Sequence, residues 1–192
     1  MDKSKAIQSV NEIKELMERS SKFVSLSGLT GVLVGIFALT GAWIVNRAGW
    51  HNVQSTIVVA AAVLLLSMIT AISVFLWKIR KTNERFLSRL TLRTIWHFSL
   101  PLLVGGLFCL ILLHHKHYEL ITSAMLLFYG FSWVSVSKYT FAGVAWLGYA
   151  FLLLGLLDAL FVGNELLFWS LGFGVFHIIY GVLFYFAYEK NK

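Results

Sequence analysis

His177 holds the position in this 192-residue chain that most invites chemistry. It falls about eleven residues into an apolar run at roughly 166–188, close to the middle of a helix long enough to cross a membrane. Ionisable groups at that depth are costly to hold and often functional. Ser170, Gly174, His177, Gly181 and Tyr188 share one face, and the flanking glycines let a second helix approach and shield the ring. Ser67, Thr70, Tyr129 and Tyr149 lie at similar depth on other runs, so each is a candidate partner for the imidazole. The chemistry this offers is a ligand contact or proton relay built on His177, Asp158, Tyr149 and Ser67. The plainer reading is a histidine packed for structural reasons and satisfied by one hydrogen bond.

Asp158 is the other ionisable group inside an apolar run, but it sits near that run's end. Rise per residue puts His177 about 16 Å and Asp158 about 4–5 Å below the same boundary, too far apart in depth for an ion pair. With Glu165, Asp158 instead forms an acidic rim that water can hydrate. The turn His114-His115-Lys116-His117, followed by Glu119, has the composition of a metal site, with His51 and Glu165 as further ligands. Zinc needs about three or four such ligands in a tetrahedral array, the turn is too short to supply them, and Lys116 adds an unfavourable charge. His97 and His177 differ in depth by about 10 Å, a poor match for two axial ligands on one haem iron. No metal or other cofactor is therefore expected. The chain has no Ser–His–Asp pattern at usable depth, no H-E-x-x-H, no phosphate-binding loop and no dinucleotide glycine fingerprint, so no enzyme activity is expected either.

The elements that must position these residues are six apolar runs, at roughly 23–45, 56–78, 94–113, 118–137, 139–161 and 166–188, each of about 20 residues. With 58% hydrophobic residues and 13% charge, no soluble fold of this length could hide them. The fold class expected is all-α: a bundle of six transmembrane helices (23–188), an amphipathic helix before it (1–22) and a short tail after it (189–192). Of 16 Lys and Arg residues, only Arg47 and Lys116 fall on one side of such a bundle. Cytoplasmic loops retain Lys and Arg, so both ends of the chain are expected in the cytoplasm, with the bundle in the inner membrane. The first run is longer than a signal core and follows a charged segment, so it is expected to be retained. Trp43, Trp50, Trp77, Trp96, Trp133, Trp146 and Trp169 stand mostly near run boundaries, as an interfacial belt does.

Three further patterns bear on function. Residues 4–21 alternate charge and apolarity at helical spacing, which suits a helix lying on the inner leaflet or packed on a partner. Lys78, Lys81, Arg85, Arg89 and Arg93 recur every three or four residues, a basic stripe suited to anionic headgroups or phosphate at about 1 kcal/mol per charge. The same stripe also serves simply to set topology. In the first run Ser27, Gly31 and Gly35 lie on a stripe of small residues, matched in the sixth by Gly174 and Gly181. Such residues allow close helix contact, within this chain or between two copies. Pro101 leaves the carbonyl of His97 without its helical partner, and a continuous helix from about Thr94 is expected to run through it. The net charge of +7 gathers at the ends of hydrophobic helices, which points to anionic inner-leaflet lipid rather than nucleic acid. Cys109 reads as a small buried side chain. The function expected is that of a non-enzymatic accessory or sensory membrane protein meeting lipid or a cytoplasmic partner through its basic inner face. The alternative is a small-solute or proton-coupled transporter or channel using His177.

Overall fold

The computed structural model describes residues 27–47, 53–82, 89–140 and 143–190. Among them every regular element is helical: α1 (Gly28–Arg47), α2 (Val53–Thr82), α3 (Arg89–His114), a 3₁₀ turn (Tyr118–Leu120) leading into α4 (Ile121–Ser137), and α5 (Gly143–Leu160). The last rod, α6, is assembled from Glu165–Trp169, a π-helical stretch Ser170–Phe176, the α-helical His177–Phe184 and a second π turn Tyr185–Glu189. All six rods are long and apolar enough to cross a membrane. The amphipathic segment read over 4–21 lies outside the described residues, as does Arg85.

Helices form here even where intrinsic propensity is poor. The run of α2 from Val53 is rich in Val and Ile, whose branched side chains lower helix propensity in water. In an apolar medium the backbone must bond to itself, and one continuous helix does that within a single segment. The connections turn where the backbone adopts positive φ, at Lys116 (63°) after α3 and at Gly163 (98°) after α5. Pro101 sits inside α3, which runs unbroken through it and begins at Arg89, earlier than the sequence expectation. Conversely α5 starts only at Gly143, because Tyr139 and Thr140 close a turn onto the carbonyls of Val136 and Ser137.

The rods alternate in direction. One end of the bundle, called here the basic end, gathers the start of α1, the end of α2, the start of α3 and the end of α6. The other, the histidine-turn end, gathers Arg47, residues 114–120 and the α5–α6 turn. α6 stands centrally, with α1 on one side and α4 and α5 on the other, while α2 packs on α1 and α3 packs on α4. Against α1, α6 approaches almost backbone to backbone. A Cβ added at Gly35 would stand 2.6 Å from the Gly174 carbonyl oxygen, and one at Gly31 would stand 3.1 Å from the His177 carbonyl oxygen. The α4–α5 contact repeats the device: a Cβ at either Gly130 or Gly148 would meet the other's carbonyl oxygen at 2.9 Å. A hydrocarbon medium would offer no hydrophobic force between helices, and close van der Waals fit of this kind is the contact that would hold them there.

α6 turns a different surface toward α4 and α5. Leu126, Leu147, Phe151 and Leu154 form a buried core there, packed by Tyr129, Trp133, Phe173, Phe176 and Tyr180. The outward surface is apolar as well: Leu64, Leu65, Ile69, Leu103, Leu107 and Leu110 are all exposed. A hydrocarbon medium solvates such a surface; water does not.

Gly35→Val is expected to force α1 and α6 apart and lower the thermal unfolding midpoint of the solubilised protein, at a cost of about 1–3 kcal/mol or more. Gly106→Ala meets nothing within 4 Å and should leave the midpoint unchanged or slightly raised. Equal loss from both substitutions would contradict the packing described.

Candidate functional site

The deep histidine lies where α6 tightens from π-helical to α-helical geometry. His177 is 5% exposed. Its Nε2 is 2.6 Å from the Tyr129 hydroxyl on α4, and its Nδ1 is 3.3 Å from the Gly172 carbonyl, five residues back across the π turn. A carbonyl can only accept, so Nδ1 carries the hydrogen, and in the neutral ring Nε2 accepts from the Tyr129 hydroxyl. Phe151 meets the imidazole edge-on at 5.5 Å, and Phe173 stacks on it at 6.2 Å. Tyr129 is itself ringed by Phe98, Trp133, Phe151 and Phe173. The imidazole thus has both nitrogens engaged inside an aromatic enclosure.

Of the residues grouped with His177 from sequence, the structure brings Tyr129 to its ring, while Tyr149, Ser67 and Asp158 stand elsewhere. Tyr149 is 51% exposed on the outer face of α5, with its ring against Trp146. Ser67 belongs to α2, which packs on α1; its Oγ is buried with no hydrogen-bond partner among the described residues. Asp158 has a separate partner, since its Oδ2 accepts from the Ser123 hydroxyl on α4 at 2.6 Å. The carboxyl is 0% exposed, so it is not the hydrated rim residue the sequence count implied, and its Oδ1 has no partner among the described residues. The depth count placed Asp158 correctly near the end of α5. It could not show that α4 and the first turn of α6 cover that end.

A third polar pair lies toward the basic end, where His97 Nε2 is 3.1 Å from the Tyr139 hydroxyl and the two rings stack at 4.9 Å. At the histidine-turn end, His117 Nδ1 is 3.3 Å from Glu119 Oε1, and His114 meets His115 edge-on at 5.2 Å. The described residues contain no group of three or more His, Cys, Asp or Glu side chains able to share a metal ion. His51 lies outside the described residues.

The basic stripe is only partly visible, since the side chains of Lys81 and Arg89 also fall outside the described part. Arg93 is exposed. Lys78 is held, because its Nζ donates to Glu189 Oε1 at 3.0 Å, each side chain about one-fifth exposed. The other Glu189 oxygen, Oε2, accepts the backbone N–H of Gly28 at 3.1 Å. One carboxylate near the end of α6 therefore ties the start of α1 to the far end of α2, placing negative charge at the positive pole of α1.

Sequence reasoning missed Ser123, Tyr139 and Glu189 as partners. A signal existed for each: in antiparallel neighbours, Ser123 stands as far from the start of α4 as Asp158 stands from the end of α5. Lys78 and Glu189 likewise stand at the same end of the bundle, on rods that both pack against α1. Matching polar residues by depth across every pair of runs, rather than only to His177, would have raised them. The π turn that brings the Gly172 carbonyl to His177 has no comparable signal.

Tyr129→Phe should leave Nε2 of a buried ring unpaired, at a cost of about 1–3 kcal/mol. Thermal unfolding in detergent measures it, and His177→Leu added to Tyr129→Phe should recover part of the loss, because the orphaned group is then gone. An unchanged midpoint in Tyr129→Phe would mean the bond contributes nothing.

No family model, curated protein or solved structure matches this chain.

Proposed function

We propose that this chain is a multi-pass inner-membrane protein with both ends cytoplasmic, acting as a non-enzymatic accessory or sensory component. In this reading the basic inner face, with Arg85, Arg89 and Arg93, meets anionic lipid or a cytoplasmic protein. The observation that carries it is the enclosure of His177. A side chain that relays protons or grips a solute needs a polar route reaching it, whereas here the ring is packed in aromatics, its Nδ1 ends on a backbone carbonyl that cannot pass a proton on, and its Tyr129 partner is itself ringed by aromatics. The exposed Arg93 stands at the end of the bundle where most positive charge gathers, which supports a contact role there. Lys78 contributes less to that surface, since Glu189 already neutralises it.

The transport reading ranks second and rests on Asp158, a fully buried carboxyl with one oxygen unpartnered among the described residues. Such a group is expensive to bury and is what a coupling ion would seek.

Two measurements separate the readings. Replacing Arg85, Arg89 and Arg93 together by Gln should reduce the protein's preference for phosphatidylglycerol over phosphatidylcholine by about tenfold or more, at about 1 kcal/mol per charge. Native mass spectrometry of retained lipid reads that preference; an unchanged value removes the lipid contact and leaves a protein partner as the remaining form of the proposal. In proteoliposomes, proton or solute flux should be no greater than in empty vesicles. Flux above that level, abolished by Asp158→Asn or His177→Ala in a folded protein, would overturn the accessory reading in favour of transport.

A further inference from the structure

Where α1 and α6 leave their glycine contact the helices diverge, and the space between them becomes a cleft. The α1 positions facing α6 beyond Gly35 are no longer uniformly small: Leu39 lies against Gly174, Ala42 stays small, and Trp43 and Asn46 follow toward the histidine-turn end. The cleft is an open groove of about 580 Å³ rather than an enclosed cavity. Leu39, Ala42, Leu171 and Val175 line its inner part, and Asn46, Asn164 and Glu165 stand at its mouth. From Leu39 to Asn46 it follows α1 for about 10 Å. The opposite wall includes the π-helical stretch of α6, a backbone geometry that recurs at functional sites.

The mouth has a definite chemical character. Glu165 is the one charged residue lining the cleft among the described residues. Its Oε1 accepts the backbone N–H of Gly163 at 2.8 Å, which anchors the carboxylate in the first turn of α6, while its other oxygen has no partner among the described residues. Asn164 donates from its amide nitrogen to the Phe161 carbonyl at 3.4 Å, committing its N–H side and leaving the amide oxygen for a donor. Trp43, 60% exposed, adds an indole face. Arg47 follows on α1 but does not line the cleft.

The occupant follows from what can discriminate in such a place. An alkyl tail already in hydrocarbon gains little by moving into an apolar slot, so the slot accommodates a tail without selecting it. Selection falls to the mouth, where a carboxylate, amide oxygens and an indole face all favour a cation and Glu165 repels an anion. We propose that the cleft between α1 and α6 binds an amphiphile with a cationic ammonium head, its tail between Leu39 and Val175 and its head between Glu165 and Trp43. This goes beyond the accessory role at the basic end and stands or falls separately from it.

The test places the protein in nanodiscs of digalactosyldiacylglycerol, a neutral bilayer lipid with no ammonium group, and titrates radiolabelled dodecyltrimethylammonium, with empty discs giving the background partition. Saturable binding is expected above background, weakened by about tenfold or more in Glu165→Gln, which removes the charge but keeps the oxygen that Gly163 needs. Trp43→Leu, at an exposed position, should also weaken it, and keeps the test decisive if Glu165→Gln proves unstable in a thermal melt. Uncharged dodecyl maltoside should compete poorly. Adding phosphatidylethanolamine to the disc identifies the source: displacement of the probe assigns the site to a lipid ammonium, and retention assigns it to a free amphiphile. Binding no greater than in empty discs overturns the proposal. So does binding unaffected by loss of the Glu165 charge and of Trp43, or equal competition by the maltoside, since either makes the cleft an unselective slot.

Discussion

The near-contact of two backbones, α1 against α6 through Gly31, Gly35, Gly174 and Gly181, is the constraint on which the rest of the bundle depends. With no Cβ between them, the two rods approach closely enough for dispersion between their backbones to contribute, the one attraction a hydrocarbon medium would leave them. That contact sets the rotation of α6 about its own axis. The backbone at His177 faces Gly31 while its imidazole reaches Tyr129 on α4, so one residue is shared between both packing surfaces. The same contact produces the cleft at the other end of the pair, because helices that touch through glycines at one level must separate where Leu39 and Trp43 take over.

Around that axis the polar side chains are settled locally. Tyr129 and His177 pair between α4 and α6, Ser123 and Asp158 between α4 and α5, and His97 and Tyr139 between α3 and the turn after α4. Each pair joins residues that neighbouring elements bring to the same level, which a buried polar group needs if it is to be satisfied without water. Two of the three involve α4, whose inward polar groups thus register the helices beside it. Isolated hydroxyls follow the same rule more cheaply: Ser132 and Thr94 bond back to carbonyls of their own helices. Asp158 stands apart, since one hydroxyl cannot satisfy both oxygens of a carboxylate.

The two ends of the bundle divide the charge. Glu189 gathers the start of α1 and Lys78 of α2 at the basic end, converting part of a positive stripe into a structural tie. At the other end Glu165 caps a cleft with negative charge. Between them the outer surfaces of α2 and α3 are almost wholly apolar, and no span of α2 is buried within the chain. Among the described residues, polar and apolar atoms meet at the ends and in the crevice between α1 and α6.

The helical class, the number of rods and their approximate limits were legible in the sequence alone, because a hydrocarbon medium leaves a long apolar run one way to satisfy its backbone. The close-packing role open to Gly31 and Gly35 could be read from their spacing, and the depths of His177 and Asp158 from rise per residue. What the sequence left open was which rod lies beside which, and every polar partnership hangs on that. Tyr129 was one of four hydroxyl residues at the right depth for His177, and only the placement of α4 against α6 selected it over Ser67, Thr70 and Tyr149. Asp158 looked hydrated because depth alone cannot show lateral cover, and Lys78 looked free because Glu189 is over a hundred residues away in the chain. Period and depth are properties of one helix at a time, whereas burial, pairing and the cleft between α1 and α6 are properties of pairs of helices, which only the tertiary structure decides.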